Sequence, residues 1–185
     1  MVTRIKNAAF ICDSIVNNKY LYFEDGVIKA FTEKELPFDI EIDAQGLYVS
    51  AGFIDIHTHG AGNCDFADGE KEDIVKAAYT HAKYGTTSIY PTCTSSSTKD
   101  IIRFIENVRD VMHDNAPGKP YIAGSHLEGP YFSPKQCGAQ DPLHIRVPDK
   151  SEYEALYTSY GSLIKRWSYA PELENSEEFL SFMNE

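Results

Sequence analysis

Two histidines separated by one residue stand at the end of an apolar run and are the first candidates for chemistry. His57 and His59 follow residues 53–56, which are predicted to form a buried strand. Side chains two positions apart on a strand point to the same face, so both imidazoles can converge on one point. Strand carboxyl ends are where α/β barrels and open sheets build their sites. Because imidazole pairs suit Zn, Fe, Ni or Mn, the pair predicts a metal site; two exposed loop histidines without a ligand are the alternative.

A carboxylate follows a later predicted strand and strengthens that prediction. Glu128 comes after the strand predicted at 121–125, where its side chain could join the same ion or bridge two ions. His126 could be a neutral imidazole that hydrogen-bonds within the site, or a histidine satisfied in the core. Asp55 should share the face of His57, where it could orient a histidine or serve as a structural carboxylate at the strand end.

The remaining histidines and the cysteines give weaker indications. His81 lies on the core face of a predicted helix and is interpreted as structural. Cys64, Cys93 and Cys137 each follow a predicted strand. A thiolate could compete for a soft metal, but small packing residues near the rim are the favoured interpretation.

Alternating strands and helices must position these side chains. Beyond residue 52, predicted strands begin near residues 53, 87, 121 and 163, and predicted helices cover residues 70–84, 98–113, 150–160 and 176–183. This order favours βαβ units and a parallel sheet. A (β/α)8 barrel of about 250 residues uses about 31 residues per unit, so the length fits half a barrel or a complete open sheet. The sequence ends inside a predicted helix, and a fragment is therefore expected.

Residues 1–51 contain short β-type runs in place of alternating strands and helices. They are predicted to be a separate small domain, with residues 52–185 as the second domain. Short β-type runs are predicted at residues 19–23, 27–32, 39–43 and 47–50. Glu24-Asp25-Gly26 is typical of a hairpin turn, so a small antiparallel sheet is predicted. Residues 127–147 show neither strand nor helix periodicity, and irregular segments of this length are usually functional or disordered.

Composition excludes several classes of protein. The 185 residues carry a formal net charge of −11, which argues against nonspecific binding to nucleic acid. No apolar run has the length of a membrane span or of a signal-peptide core, and the four cysteines form no CxxC pair. The expectation is a reduced, soluble, cytoplasmic protein with neither nucleic-acid nor membrane partners.

Several motifs resemble one known family. Residues 52–60, GFIDIHTHG, are similar to the first barrel strand of the amidohydrolase superfamily. Residues 126–135, HLEGPYFSPK, followed by GAQDP at 138–142, resemble the N-acetylglucosamine-6-phosphate deacetylase family far more specifically. APE at 170–172 and LYVSAG at 47–52 also fit. The resemblance covers essentially the whole chain but only the N-terminal half of the family's pattern.

The resemblance implies a fold and an activity. The fold is a (β/α)8 barrel beside a small β-sandwich built from both chain ends. This chain would hold about the first four βα units in residues 52–185 and an incomplete β-sandwich portion in residues 1–51. The implied reaction converts N-acetylglucosamine 6-phosphate into glucosamine 6-phosphate and acetate, with one or two divalent ions, Zn or Fe. A cytoplasmic homodimer is implied for the full-length protein.

The resemblance also implies residue roles. Glu128 matches the family's metal-ligating glutamate, and His57 and His59 match the pair that holds a second ion in two-metal members. Ala139 and Gln140 match the stretch that contacts substrate. The catalytic aspartate, two further metal histidines and the main phosphate-binding residues match no position here, so the isolated chain is expected to be inactive.

Two alternatives stay open. A cyclic-amide hydrolase of the dihydroorotase or hydantoinase type also resembles the chain at His57 and His59, but it uses a modified lysine at the fourth strand, and Lys165 is near that strand's start. The chain could instead be a catalytically inactive truncated fragment or an interaction module. An incomplete barrel would leave a sheet edge unpaired, which favours association.

Overall fold

Strands make up the first part of the chain, and strands alternating with helices make up the rest. The computed structural model describes residues 1–113 and 116–184. Its contacts divide the chain into two units, with the boundary between Ala51 and Gly52. The strands of the first unit are β1 (Thr3–Lys6), β2 (Ala9–Ile11), β3 (Ile15–Val16), β4 (Tyr20–Glu24), β5 (Val27–Thr32), β6 (Ile40–Asp43) and β7 (Tyr48–Ser50).

The second unit alternates strands with helices. Its strands are β8 (Phe53–Thr58), β9 (Gly60–Ala61), β10 (Cys64–Asp65), β11 (Thr86–Cys93), β12 (Tyr121–Ile122), β13 (Ser125–Glu128) and β14 (Ile164–Ser168). Its helices are α1 (Lys71–Ala82), α2 (Thr98–Met112), α3 (Lys150–Tyr160) and α4 (Ser176–Met183), with a short 3-10 turn at Pro134–Gln136. None of these described helices has the length and apolar character needed to cross a membrane.

Two sheets form the first unit. One has the strand order β5-β4-β1-β6 and the other β3-β2-β7. The predicted hairpin is confirmed: β4 and β5 pair antiparallel, and Asp25 and Gly26 both have positive φ, at 49° and 76°. Two positive φ values twist the turn in the sense that matches the flanking strands.

The prediction of an antiparallel sheet in this unit is wrong in part. β1 pairs parallel with β6, and β2 pairs parallel with β7. The β4–β5 hairpin and its flanking segments lie between these partners in the sequence, so the chain is long enough to return to the same end before pairing. Periodicity also missed β1, β2 and β3, which are only two to four residues long.

The second unit contains the predicted parallel sheet. β8 pairs with β11, β11 with both β12 and β13, and β13 with β14, and every one of these pairings is parallel. β12 and β13 occupy the place of the single strand predicted at residue 121, interrupted at Gly124, where φ is +148°. Spatial order therefore follows chain order, as it does in consecutive βα units.

The helices form where apolar spacing predicts them. In α2, Ile101, Phe104, Ile105 and Val108 recur every three or four residues, and all are at most 1% exposed. Ser97 caps this helix by accepting a hydrogen bond from the backbone N–H of Asp100 at 3.2 Å. The α2 stripe packs with residues of α1, β11 and β13 in one core, so the sheet is held rigidly beneath its carboxyl edge.

A second core, which is aromatic, fixes the segment that follows β13. Tyr131 stacks on Trp167 with ring centroids 5.6 Å apart, and Phe179 meets Tyr131 edge-on at 5.3 Å. Tyr153 of α3 meets Phe179 at 5.2 Å. These contacts attach the start of the irregular segment to α3, β14 and α4.

A small hairpin formed by β9 and β10 follows β8 directly. The sequence pattern of these residues did not predict it. Gly60 has φ of +156°, and a Cβ built on it would lie 2.0 Å from the backbone oxygen of Cys64. Only glycine fits here, because the obstacle is backbone and cannot rotate away.

Gly60→Ala is expected to lower the free energy of unfolding by about 2 kcal/mol or more, from backbone strain together with the clash. Gly138→Ala is the matched control, since Gly138 also has positive φ, at 59°, but open space around its Cβ position. Urea unfolding measures both. An equal loss in the two variants would show that the approach of Cys64 contributes nothing.

Candidate metal centre

Two strands place the three predicted metal ligands at one edge of the sheet. His57 lies near the end of β8, His59 directly follows that strand, and Glu128 is the last residue of β13. β8 and β13 both pair parallel with β11, so their carboxyl ends lie at the same edge. This geometry brings three donor side chains from distant parts of the sequence together.

The Glu128 carboxylate lies between the two imidazoles. Its Oε1 is 3.5 Å from Nε2 of His57, and its Oε2 is 3.3 Å from Nε2 of His59. The two rings meet edge-on with centroids 5.1 Å apart. One donor atom can be taken from each of the three residues so that all three atoms lie within 4.8 Å of one another. Each carboxylate oxygen therefore faces a different ring, which suits one shared ion or a carboxylate that bridges two.

The two histidine–carboxylate separations fit a small divalent ion, and the whole group of three donor atoms spans up to 4.8 Å. Donors on a tetrahedral Zn²⁺ lie about 2.0–2.2 Å from the ion and therefore about 3.3–3.6 Å from one another. The two histidine–carboxylate distances match that range. The side chains of His57 and His59 are 40% and 36% exposed, so further ligands and a substrate have access from one side. Two imidazoles and one carboxylate are a common donor set for catalytic zinc.

Asp55 accepts a hydrogen bond from the backbone of the site and also lies near the His81 ring. Its Oδ1 accepts a hydrogen bond from the backbone N–H of His57 at 3.1 Å. Its Oδ2 is 3.9 Å from Nδ1 of His81. Of the two roles open for Asp55, the structure favours the structural carboxylate at the strand end.

His81 reaches the same segment from α1. Its Nε2 is 3.3 Å from both the hydroxyl of Thr58 and the backbone oxygen of Gly60. Its ring lies nearly parallel to that of Phe66, with centroids 6.3 Å apart. The structural role predicted for His81 agrees with these contacts, which tie together the residues on either side of His59.

His126 is fully buried beneath the three donors. Its Nε2 is 2.8 Å from the hydroxyl of Ser168, and its Nδ1 is 3.3 Å from the hydroxyl of Thr92. Desolvation by burial lowers the pKa of His126 to about 4, and the positive charge of Arg166 acts in the same direction. The ring is therefore neutral near pH 7, and each of its nitrogens has a hydroxyl partner. His126 is thus both a neutral imidazole that hydrogen-bonds beside the site and a histidine satisfied in the core.

Thr92 determines which nitrogen of His126 carries the proton. The Thr92 hydroxyl donates its hydrogen to the backbone oxygen of Tyr90 at 3.1 Å and accepts the backbone N–H of Thr58 at 3.1 Å. With these two bonds made, Thr92 has an acceptor position left for His126, an arrangement that favours a proton on Nδ1 and a bond from Ser168 to Nε2. Neither Thr92, the second-last residue of β11, nor Ser168, the last residue of β14, was predicted from the sequence, although both lie on the face that carries His126.

The cysteines do not join the donor group. Cys93 is buried, and desolvation raises the pKa of its thiol to about 12. The Cys64 thiol donates to a carboxylate oxygen of Asp73 at 3.2 Å. Cys137 lies in the irregular segment, and its thiol is 4.0 Å from the backbone oxygen of Gly138. These placements agree with their interpretation as packing residues.

The irregular segment after β13 reaches the donors through Gln140. The Gln140 side-chain amide donates to Oε2 of Glu128 at 2.8 Å, and its oxygen accepts the backbone N–H of Ser95 at 2.7 Å. Ala139, the other predicted substrate contact, is exposed beside it. One of the two residues therefore lies against a predicted metal ligand.

Arg146 fixes the far end of the same segment. Its Nε and Nη2 both donate to the Glu152 carboxylate, and its Nη1 donates to the backbone oxygens of Ser96, at 3.1 Å, and His144, at 2.8 Å. Burial opposes ionisation of Glu152, but Arg146 and Thr98 hold its pKa below the usual value. This forked ion pair attaches an otherwise irregular segment to α3 and to the β11–α2 connection.

The chain is similar to known deacetylases in sequence and in fold. No protein-family model matches the chain. The N-acetylglucosamine-6-phosphate deacetylase of Bacillus subtilis strain 168 is 29% identical over 187 residues, covering 98% of this chain and 47% of that relative. An N-acetylgalactosamine-6-phosphate deacetylase of Escherichia coli O157:H7 is also 29% identical, covering 87% and 42%. The crystal structure of the N-acetylglucosamine-6-phosphate deacetylase from Pasteurella multocida superposes with a TM-score of 0.88 at 24% identity, over 100% of this chain and 48% of that one.

This chain resembles the N-terminal half of the N-acetylglucosamine-6-phosphate deacetylases. It spans about half the length of the curated relatives it matches. The mixed α/β fold with its parallel sheet is shared with the solved deacetylase. The match to the Bacillus subtilis deacetylase covers nearly the whole chain and so both units.

The His126 ring is expected to remain neutral, with the proton on Nδ1, from pH 7.5 down to pH 5. Burial lowers its folded pKa to about 4, so the neutral ring predominates throughout that window. Nitrogen-15 NMR of labelled histidine measures this, because protonated and unprotonated ring nitrogens have well-separated shifts. His126→Gln identifies the signal. A ring that titrates between pH 6 and pH 7 would contradict the buried network.

Arg146→Lys is expected to lower the free energy of unfolding by about 1–3 kcal/mol, because a lysine cannot reproduce the forked bonds to Glu152 and Ser96. Arg103→Lys is the control, since Arg103 is 51% exposed and its ion pair with Asp100 should contribute little. Urea unfolding of both variants measures the difference. Equal losses would show that the fork does not anchor the segment.

Proposed function

We propose that this chain forms the metal-binding N-terminal half of a deacetylase that hydrolyses the acetamide of N-acetylglucosamine 6-phosphate. The observation that carries the proposal is the convergence of His57, His59 and Glu128 at the carboxyl edge of the sheet. That edge is where barrel enzymes place their chemistry. The likeness to deacetylases along nearly the whole chain supports the choice of reaction.

The finer architecture is part of the same proposal. The parallel sheet is the first half of a (β/α)8 barrel, and the two sheets of residues 1–51 are part of a β-sandwich. β8, β11, β13 and β14 pair in chain order, and each is followed by a helix. Ile54 and Ile56 of β8 are 71% and 46% exposed, and β8 pairs only with β11 among the described residues. Further βα units would cover these apolar side chains and the open edge.

The donor set fits a divalent ion, Zn or Fe, bound singly or as a pair. When bound, such an ion supplies Lewis-acid polarisation of the acetamide carbonyl and a lowered pKa for bound water. Glu128 and the two histidines hold it, and the Asp55 carboxylate fixes the backbone on which His57 stands. His126 stays neutral beneath them and adds no positive charge to the site.

The substrate and the proton-transfer group complete the proposal. Ala139 and Gln140, which border the donors, are proposed to face the amino sugar. The general base, two further metal ligands and the main phosphate-binding residues are assigned outside these 185 residues. A cytoplasmic homodimer is proposed for the complete enzyme. Lys165 is the second residue of β14, not the last, so it lacks the position that a cyclic-amide hydrolase requires of its bridging lysine.

The experiment measures acetate release from N-acetylglucosamine 6-phosphate by the 185-residue chain and by a longer polypeptide that continues its reading frame. Turnover is expected only from the longer polypeptide, because loss of a general base alone costs about 10²–10⁴ in rate. In the longer polypeptide Glu128→Ala should abolish turnover, while Glu177→Ala, at an exposed position of α4, should not.

Other outcomes separate the alternatives. Turnover of dihydroorotate or a hydantoin in place of the sugar would favour the cyclic-amide hydrolase. N-acetylgalactosamine 6-phosphate, included as a second sugar, tests the epimer on which the Escherichia coli relative acts. Full activity of the 185-residue chain alone would overturn the assignment of catalytic groups outside it, and inactivity of the longer polypeptide would favour an inactive fold.

A further inference from the structure

The Gln140 side chain uses both ends of its amide on the protein itself. Its nitrogen donates to Oε2 of Glu128 at 2.8 Å, and its oxygen accepts the backbone N–H of Ser95 at 2.7 Å. Both distances are short for bonds of this type, and both bonds span long sequence separations. Gln140 therefore bridges the end of β13 and the segment that follows β11.

This bridge controls the orientation of a predicted metal ligand. Among the hydrogen bonds of the described residues, the bond from the Gln140 amide is the one that the Glu128 carboxylate accepts, and the two histidine rings lie beside it at 3.5 and 3.3 Å. A glutamate side chain has three rotatable bonds, and leaving it free would spread its oxygens over many positions. The bond from Gln140 to Oε2 keeps one oxygen towards His59 and the other towards His57.

The segment that carries Gln140 is itself held in place. Ser95 donates its N–H to Gln140, and the backbone oxygen of Ser96 accepts from Arg146 at 3.1 Å. The consecutive residues Ser95 and Ser96, which follow β11, therefore hold the irregular segment at Gln140 and at Arg146. The position of Gln140 is fixed by this double attachment before any ligand arrives.

We propose that Gln140 is a positioning residue for Glu128, in addition to any contact with substrate. The inference rests on the metal centre of the proposed function. Carboxylate ligands are oriented by hydrogen bonds from neighbouring groups, and removing such a partner typically weakens metal binding by about 10–100-fold. Here the bond both orients Glu128 and joins the irregular segment to the metal centre.

The first measurement needs no metal. Gln140→Met keeps the length of the side chain but removes both hydrogen bonds, and Gln136→Met places the same substitution at an exposed position of the same segment. Amide hydrogen exchange at Ser95 is expected to accelerate at least tenfold in Gln140→Met and to stay unchanged in Gln136→Met. Unchanged exchange in Gln140→Met would overturn the bridge.

The second measurement titrates the metal-free longer polypeptide, unmodified and with each substitution, with Co²⁺ and follows visible absorption, because two further metal ligands are proposed outside the 185 residues. Gln140→Met should bind Co²⁺ about 10–100-fold more weakly than the unmodified polypeptide, with an altered absorption spectrum, whereas Gln136→Met should match the unmodified polypeptide. Gln140→Asn, one methylene too short to span both partners, should behave like Gln140→Met. A residue that only contacts the sugar would leave Co²⁺ affinity and spectrum unchanged.

The outcomes distinguish the inference from the proposed function. If the unmodified longer polypeptide binds Co²⁺ and Gln140→Met binds it equally well, the metal centre stands and the positioning role falls. If the unmodified longer polypeptide binds no Co²⁺, the metal centre itself falls, and the positioning role falls with it. Circular dichroism monitors folding, and unfolding of both Gln140 variants would also overturn the inference, because a residue that only orients a carboxylate is not required to fold the chain.

Discussion

Parallel pairing of β8, β11, β13 and β14 is the constraint on which the rest of the structure depends. Strands that run the same way present their carboxyl ends at one edge, so residues some 70 positions apart in the sequence, such as His57 and Glu128, become neighbours. The apolar stripe of α2 packs with residues of β11 and β13 in the main core. A shift of one residue in either strand would turn its donor to the opposite face.

Beneath the donors, a set of polar side chains crosses the sheet at the level of the strand ends. Ser168, His126 and Thr92 are joined by their side chains, and Thr92 continues the set to the backbone of Thr58. Buried polar groups are costly unless they are paired, and here the pairing also selects one tautomer of His126. The set fixes the positions of the strand ends relative to one another, and with them the donors above.

The segment after β13 contains little regular structure, yet it is well attached. Tyr131 anchors its beginning in an aromatic core, Gln140 its middle and Arg146 its end. Charge-assisted and aromatic contacts replace the backbone ladder that a strand or helix would supply. A segment held in this way borders the group formed by His57, His59 and Glu128 at a defined point, Gln140, while Ala139 beside it stays exposed.

Apolar spacing and strand parity were enough to predict the helices, the parallel sheet and the convergence of His57, His59 and Glu128, because both are local properties that survive folding. The sequence did not determine the parallel pairs of the first unit or the β9–β10 hairpin, since short strands are defined by their partners and not by their own pattern. The sequence pattern also did not predict that Thr92 and Ser168 hydrogen-bond to His126. Three features became visible in the fold alone: the bond from the backbone N–H of His57 to Asp55, the burial and neutrality of His126, and the bond from Gln140 to Glu128. They depend on how the folded backbone places neighbouring groups, on burial by the surrounding chain, or on contact between separate segments.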